Sequence, residues 1–276
     1  MTIVGLISPG AMGVSVGAAA LGNSERVIWA GEGRSPATHE RATQAGLTDC
    51  GTQSQLFDQS DIVLSVCPPH DATLVANAAA AHGFSGLYLE GNAIAPQLTR
   101  ELADTVTSTG ARFVDGGIIG GPAWDRASGT TLWLAGEDSA EIVALFEDSP
   151  LHTAIAGTQA GKASALKMTF AAYTKGSTAL LMAILAVAEK EGVRDQLEAQ
   201  WGESFTGQTH HRVTTNAAKA WRFVGEMEEI ARTFDGIGLP GFHGTAADVY
   251  SRLAEFKDAP PPAVETLLAS LLASDK

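Results

Sequence analysis

The stretch that most constrains this chain is its first. Thr2-Ile3-Val4-Gly5-Leu6-Ile7 leads into the turn Ser8-Pro9-Gly10-Ala11-Met12-Gly13, and a run of small residues follows from Val14 to Leu21. A β-branched apolar run reads as a buried strand, the glycines as a tight turn, and the alanine-rich segment as a helix. A strand-turn-helix of this kind can hold a phosphate, because the helix start presents unpaired N–H groups and the positive end of its dipole to an anion. Ser8, Pro9, Gly10, Ala11, Met12 and Gly13 are therefore the expected cradle. Ser8 stands where the fingerprint G-x-G-x-x-G has its first glycine. The segment alone also fits an ordinary βα turn. Strand-like and helix-like segments alternate for about a domain's length after it, and that alternation favours a doubly wound nucleotide-binding sheet.

The end of the second strand, Arg26-Val27-Ile28-Trp29-Ala30, is where such a fold chooses its dinucleotide. An Asp or Glu there binds the ribose 2′-hydroxyl of NAD and repels a 2′-phosphate, but this chain has Ala30. Arg34 and Ser35 follow in Gly31-Glu32-Gly33-Arg34-Ser35 and supply groups suited to a phosphate, so the reading is NADP(H). Glu32 turned inward onto a ribose, or Arg34 as a solvated loop charge, is the competing reading. The buried strand Asp61 to Cys67 ends at Pro68 and Pro69, which cannot continue a ladder. Its carboxyl end makes Val66, Cys67 and Pro68 candidate walls for the adenosine and ribose. Cys67 reads as a small wall residue and not as a nucleophile.

Further on, Asn92 follows the strand Gly86 to Gly91 where the nicotinamide half would lie, with turn formation or helix capping as its alternatives. Gly116, Gly117, Gly120 and Gly121 crowd the end of the strand that starts at Arg112 and suggest backbone placed against a ligand. Thr130 to Ala135 is another strand, and the α/β part closes near His152 to Ala156. These features set the expected boundaries: a dinucleotide-binding domain over 1–158 and a helical domain over 159–276. A helix of about 30 residues from Lys162 to Gly192, some 45 Å long, is expected to link them. Beyond it the chain reads helical, with breaks near Gly202, Gly236 to Gly244 and Asp258 to Pro262.

Charge and cysteine use narrow the partners. A net charge of −13 disfavours nucleic acid and anionic membranes, leaving a small-molecule substrate as the expected partner. Cys50 and Cys67 form no C-x-x-C, and no charged-then-apolar leader precedes the first strand, so the cytoplasm is the expected compartment. The apolar run Ala179 to Ala188 is about half of the roughly 20 residues a membrane helix needs and reads as a buried helix. No metal site is expected: His210, His211 and His243 lack a third ligand at metal spacing and have no assigned role.

On the long helix, Lys167 shares a stripe with Ser164, Ala171 and Thr174 at 100° per residue. A partly desolvated lysine on such a stripe can act as general acid or base; the alternative is a solvated surface lysine. Four motifs in order now carry a resemblance. Gly5 to Gly13, Glu90-Gly91-Asn92-Ala93-Ile94-Ala95-Pro96, Phe113 to Gly121, and Gly161 followed after five residues by Lys167 resemble the β-hydroxyacid dehydrogenase and 6-phosphogluconate dehydrogenase superfamily. Ala220 to Met227 is similar to the short helical C-terminal domain of some members. The resemblance implies that Lys167 is the acid/base, that Gly120 and Gly121 hold the substrate's anionic end, that Asn92 lies near the nicotinamide, and that the protein is a homodimer. Three departures stand out: Ile119 replaces the family serine, Ala171 the family asparagine, and Ser8 the first glycine. With them, Ile119, Gly120, Gly121, Ser164, Ala171 and Thr174 form the expected substrate set.

The resulting expectation is an NADPH-dependent reductase of small carbonyl compounds or the matching β-hydroxy acids. Imine reduction is the alternative, which Ile119 and Ala171 favour and Lys167 opposes. A non-catalytic NADP-binding regulator is the third reading. Should Lys167 not supply the proton, Tyr173 or water would.

Overall fold

A computed structural model of the chain describes residues 2–239 and 241–273. It divides into two compact units, 1–168 and 169–276.

The first unit alternates strands and helices in the manner expected: β1 (Ile3–Leu6), α1 (Ala11–Ala20), β2 (Arg26–Trp29), α2 (Pro36–Gln44), β3 (Thr48–Asp49), α3 (Gln53–Gln59), β4 (Ile62–Ser65), α4 (Ala72–His82), β5 (Leu87–Glu90), α5 (Pro96–Thr107), β6 (Arg112–Ile119), β7 (Thr131–Ala135), α6 (Ser139–Leu145), β8 (His152–Gly157) and the start of α7 (Lys162–Ala171). Caps written in the sequence set several helix starts. Ser35 accepts the Thr38 N–H ahead of Pro36, and Thr52 with Gln55 forms a capping box.

The strands form one sheet in the order β3-β2-β1-β4-β5-β6-β7-β8. The sheet is parallel except where β7 reverses against β6, with β8 parallel to β7. The order reverses beside β1, where β1 lies between β2 and β4. Crevices for ligands open at the carboxyl ends of strands at such a switch point. Both faces are apolar: Leu64, Leu89 and Val114 pack on one side, and Val63, Tyr88 and Phe113 on the other. Burying each such side chain stabilises the unit by about 1.5–3 kcal/mol.

The unit boundary falls ten residues beyond the expected 158, at Met168, because the first turn of α7 is tied to β6 by hydrogen bonds described below.

The second unit contains a π turn at Ala172–Gly176, then α8 (Ser177–Lys190), α9 (Arg194–Trp201), α10 (Glu203–Ala217), α11 (Ala220–Asp235), α12 (His243–Ser251) and α13 (Val264–Leu272). The expected unbroken helix is thus interrupted. Side chains take the carbonyls that the wider turn releases: an Arg212 N–H donates to the Thr174 carbonyl, and the Tyr250 hydroxyl to that of Lys175 at 2.7 Å. Counted through this turn, the run Lys162–Lys190 spans 29 residues with a mean hydropathy of 1.4 in its most apolar window. By length and composition alone it could cross a membrane, which Ala179 to Ala188 by itself could not; 44% of that window is buried, and a core helix of a water-soluble protein can have the same length and composition. Pro240, in the break before α12, and residues 274–276 lie outside the described residues.

Candidate active site

The glycine turn is built by close approach. A Cβ on Gly13 would lie 2.0 Å from the Ser8 carbonyl oxygen and 3.2 Å from that of Val66, so only glycine lets α1 start against both segments. Gly10, the N-cap of α1, has open space where its Cβ would be and makes no side-chain cap. The first N–H groups of a helix have no partner within it, so Gly10 to Gly13 present a cradle that fits a pyrophosphate. The structure brings Ser8 to Gly13 and Val66 together. A further tie runs from the Ala123 N–H to the Ser15 hydroxyl at 3.0 Å, holding the segment after β6 against α1.

At the end of β2 the geometry is more specific than the sequence. Arg34 and Ser35 are exposed, and the Ser35 hydroxyl is engaged as the cap of α2, accepting from Thr38 N–H at 3.3 Å. Ser35 is thus a helix cap before it is a phosphate ligand. Asp49, from edge strand β3, accepts the N–H groups of Gly31 at 3.0 Å and Gly51 at 2.8 Å, and lies 3.7 Å from His39 Nδ1. Sequence reasoning passed over this carboxylate. It sits on a different strand, and only the β2–β3 pairing brings it to Gly31.

Asn92 is 3% exposed, and both ends of its amide are committed. Its Oδ1 accepts the Cys67 N–H at 2.5 Å, its Nδ2 donates to Ser65 Oγ at 3.0 Å, and its own N–H donates to Glu90 at 3.0 Å. The side chain therefore braces the turn after β4. Burial pushes the Cys67 thiol up to about 12, with Glu90 adding to the rise, which removes it as a nucleophile. Pro68 is exposed beside it.

Asp115 organises the lysine helix. Wholly buried on β6, it accepts N–H groups from Gly161 at 2.8 Å, Ala163 at 2.9 Å and Ser164 at 3.2 Å, and the Ser164 hydroxyl at 2.5 Å. A carboxylate from another strand thereby does the work of an N-cap. Burial raises its carboxyl above the ordinary value, and these donors oppose the rise. Ser164 is 1% exposed and its hydroxyl also meets Thr99 Oγ1 at 2.8 Å, so it is corrected from a substrate ligand to a brace.

Lys167, half-buried, follows one turn later. A Cβ on Gly117 would lie 2.6 Å from the Ala163 carbonyl oxygen and 3.1 Å from Lys167 Cβ, so the helix rests directly on the β6 backbone. Gly120, at φ +135, is forced by Thr130, whose atoms would come within 2.4 Å of a Cβ. A Cβ on Gly116 would lie 3.0 Å from Leu89 Cδ1, so three of the four clustered glycines serve packing, whereas Gly121 has open space at its Cβ position. Ile119, the last residue of β6, is half-buried. Ala171 and Thr174 belong to the second unit. Ala171 is buried, and Thr174 lies in the π turn, where its hydroxyl donates to the Phe170 carbonyl at 3.0 Å and α-helical spacing no longer places it. Tyr173 is 73% exposed.

His210 meets Glu198 at 2.8 Å, and His243 packs at a tilt against Phe234 and Phe242, where burial lowers its proton affinity and its Nδ1 has no hydrogen-bond partner. Among the described residues no cluster of three metal-binding side chains occurs.

Residues 3–147 match the family described as the NAD binding domain of 6-phosphogluconate dehydrogenase. The chain belongs to this family. It is an NAD(P)-binding oxidoreductase of the β-hydroxyacid dehydrogenase type. Residues 188–253 match a domain of unknown function, DUF1932. A protein of Methanothermus fervidus described as an uncharacterized 28.5 kDa protein in the 7S RNA 5′ region is 27% identical over 205 residues, 73% of this chain and 78% of its own. A conserved protein of unknown function, reported as structurally similar to 3-hydroxyacid dehydrogenases, is 27% identical with a TM-score of 0.69, covering 92% of this chain and 97% of its own. The Mycobacterium tuberculosis 3-hydroxyisobutyrate dehydrogenase, solved with L-serine, shares the fold at a TM-score of 0.70 with 17% identity, over 99% of this chain and 100% of its own. A reductive aminase from Aspergillus terreus, solved with NADPH, cyclohexanone and allyl amine, follows at 0.57 with 16% identity, over 97% and 98%.

Proposed function

We propose that this oxidoreductase uses NADPH to reduce a small carbonyl compound to a β-hydroxy acid or alcohol, with Lys167 supplying the proton. The observation that carries the reading is the seating of Lys167: Asp115 holds the first turn of α7, and Gly117 lets that helix rest on β6, the strand that runs on to Gly120 and Gly121. When bound, the cofactor supplies a hydride from its nicotinamide ring. The chain's own residues do the rest. Gly10 to Gly13 bind the pyrophosphate, Val66 to Pro68 wall the adenosine, and Asn92 fixes the turn that carries that wall. Gly120 and Gly121 offer backbone N–H groups to an anionic substrate end, while Lys167 moves the proton to the nascent alkoxide. Arg34, with Ser35 behind it, favours the 2′-phosphate; Asp49 opposes it, so the preference for NADPH rests on Arg34.

Imine reduction is the second reading. It is favoured by the apolar Ile119 and Ala171 where the family has a serine and an asparagine, and by the fold shared with the reductive aminase. A cytoplasmic homodimer is the proposed setting. Leu180 and Val187 are exposed on α8, and Ala183, Ile184, Val193 and Leu197 line an apolar groove there, which a second copy would cover. NADPH consumption across β-keto acids, aldehydes and cyclic imines tests the activity: turnover of a keto acid or aldehyde supports it, turnover of imines alone supports the second reading, and none with any member refutes both.

A further inference from the structure

Three adjacent strands end in a polar row. Ser65 on β4 pairs with Glu90 on β5, and Glu90 pairs with Asp115 on β6. Alternation puts all three on the face shared by Val63, Tyr88 and Phe113, one step nearer the carboxyl ends. Glu90 and Asp115 are both fully buried, so two carboxyl groups stand side by side under the site.

They are not equally provided for. Asp115 receives three backbone N–H groups and a hydroxyl from the start of α7. Glu90 receives one backbone N–H, from Asn92, with support from the Asn92 and Ser65 side chains, and its Oε2 has no hydrogen-bond partner. Two like charges this close in a low-dielectric interior cannot both persist, and the charge goes to the carboxyl with the donors. The proton is left on Glu90. Through Asn92 the same residue reaches the cofactor wall, because the amide it holds accepts from Cys67 N–H at 2.5 Å.

From this we infer that Glu90 is a positioning residue, held as a neutral acid, that keeps the turn after β4 and the Asp115-capped lysine helix in their working arrangement and releases them when it ionises. The inference rests on the NADPH reading above only for what the turn binds. Of the titratable groups that face it, Asp115 from β6 favours the protonated form, while Cys67 from the turn after β4 and Tyr88 are neutral groups that Glu90 itself raises, and the buried Tyr88 hydroxyl has no hydrogen-bond partner. Burial first, then Asp115, raises the Glu90 carboxyl from 4.5 to about 8 against hydrogen bonds from Asn92 and Ser65. The folded state therefore keeps a proton that the unfolded chain loses. This contribution to stability is complete below about pH 4.5 and is lost as the pH rises to about 8.

The test compares the full-length protein with Glu90→Gln by urea denaturation and NADPH binding from pH 5 to 9.5. The neutral amide cannot ionise, so the folding equilibrium of the unaltered protein should fall relative to Glu90→Gln by on the order of 10³-fold across that range. Its NADPH affinity should weaken about tenfold above pH 8.5, while Glu90→Gln rescues a flat profile and Glu90→Ala, lacking an acceptor for Asn92 N–H, binds weakly throughout. Stability curves that stay parallel would overturn the neutral-acid assignment. Divergent stability with superimposable affinity profiles would overturn the positioning role. Should Glu90→Gln fail to fold, infrared titration of the unaltered protein decides the assignment: a protonated-carboxyl band at pH 7 that disappears toward pH 9 supports it, and no such band overturns it. A protein that binds no NADPH at any pH refutes the functional reading and the positioning role, and the stability arm still decides where the proton sits.

Discussion

Replacing Asp115 by Asn keeps the size of the side chain and removes its charge and one acceptor oxygen. In the native arrangement Oδ2 alone serves Gly161 N–H at 2.8 Å and Ala163 N–H at 2.9 Å. An amide nitrogen in that place would point its hydrogens at two buried donors; turned over, it would face the Ser164 N–H now 3.2 Å from Oδ1 and force the Ser164 hydroxyl from donor to acceptor. Each buried donor left without a partner costs about 1–3 kcal/mol, and losing an anion at a helix N-terminus costs about 0.3–2 kcal/mol. A loss of about 3–5 kcal/mol for the first unit is therefore expected, equivalent to a fall in Tm of roughly 6–20 °C for a unit of this size. Urea denaturation gives the free energy, and amide hydrogen exchange at Gly161, Ala163 and Ser164 shows where it is lost. A loss below about 1 kcal/mol with native protection at these amides would refute the capping role.

Three other expectations follow from the same geometry. NADPH should bind at least tenfold more tightly than NADH, Arg34→Ala should remove most of the difference because a charge-assisted bond is worth about 1.5–3 kcal/mol, and Asp49→Asn should widen it; equal affinities in the unaltered protein would end the assignment. Gly117→Ala, whose methyl would press on the Ala163 carbonyl at 2.6 Å, should cost about 1–3 kcal/mol of stability and lower kcat more than NADPH affinity, and an unchanged kcat would separate Lys167 from that seat. Sedimentation should show a dimer burying more than about 2,000 Å², and a stable monomer at micromolar concentration would refute it.

The strand, turn and helix that open the chain were legible in it because their signals are local. The run Ile3 to Leu6, the glycines at 10 and 13, and the small residues of α1 are adjacent, and their spacing alone states strand, turn and helix. The sequence singled out Lys167 and the glycines around 117, but nothing in it showed why they lie together. In Val114-Asp115-Gly116-Gly117 the aspartate looks like any strand-end residue, and its partners lie 46 to 49 residues further on. Glu90 was hidden for the same reason, since only strand pairing places it beside Asp115. The π turn left almost no trace either. No proline marks it, and the groups that stabilise it, Arg212 and Tyr250, come from α10 and α12. Ser164 and Ser35 were overread because a hydroxyl on the right stripe or loop does not reveal that a carboxylate or a helix start has already engaged it.

The central claim is that Lys167 delivers the proton, and Lys167→Met tests it most directly. Methionine keeps an unbranched apolar stem against β6 and removes the ammonium, so the fold and the NADPH dissociation constant should stay nearly unchanged. The kcat on the best substrate of the panel should fall by about 10²–10⁴, the usual range for loss of a general acid or base. A variant that keeps more than about a third of the activity would contradict the account, making Lys167 a bystander and passing the proton to Tyr173 or to water.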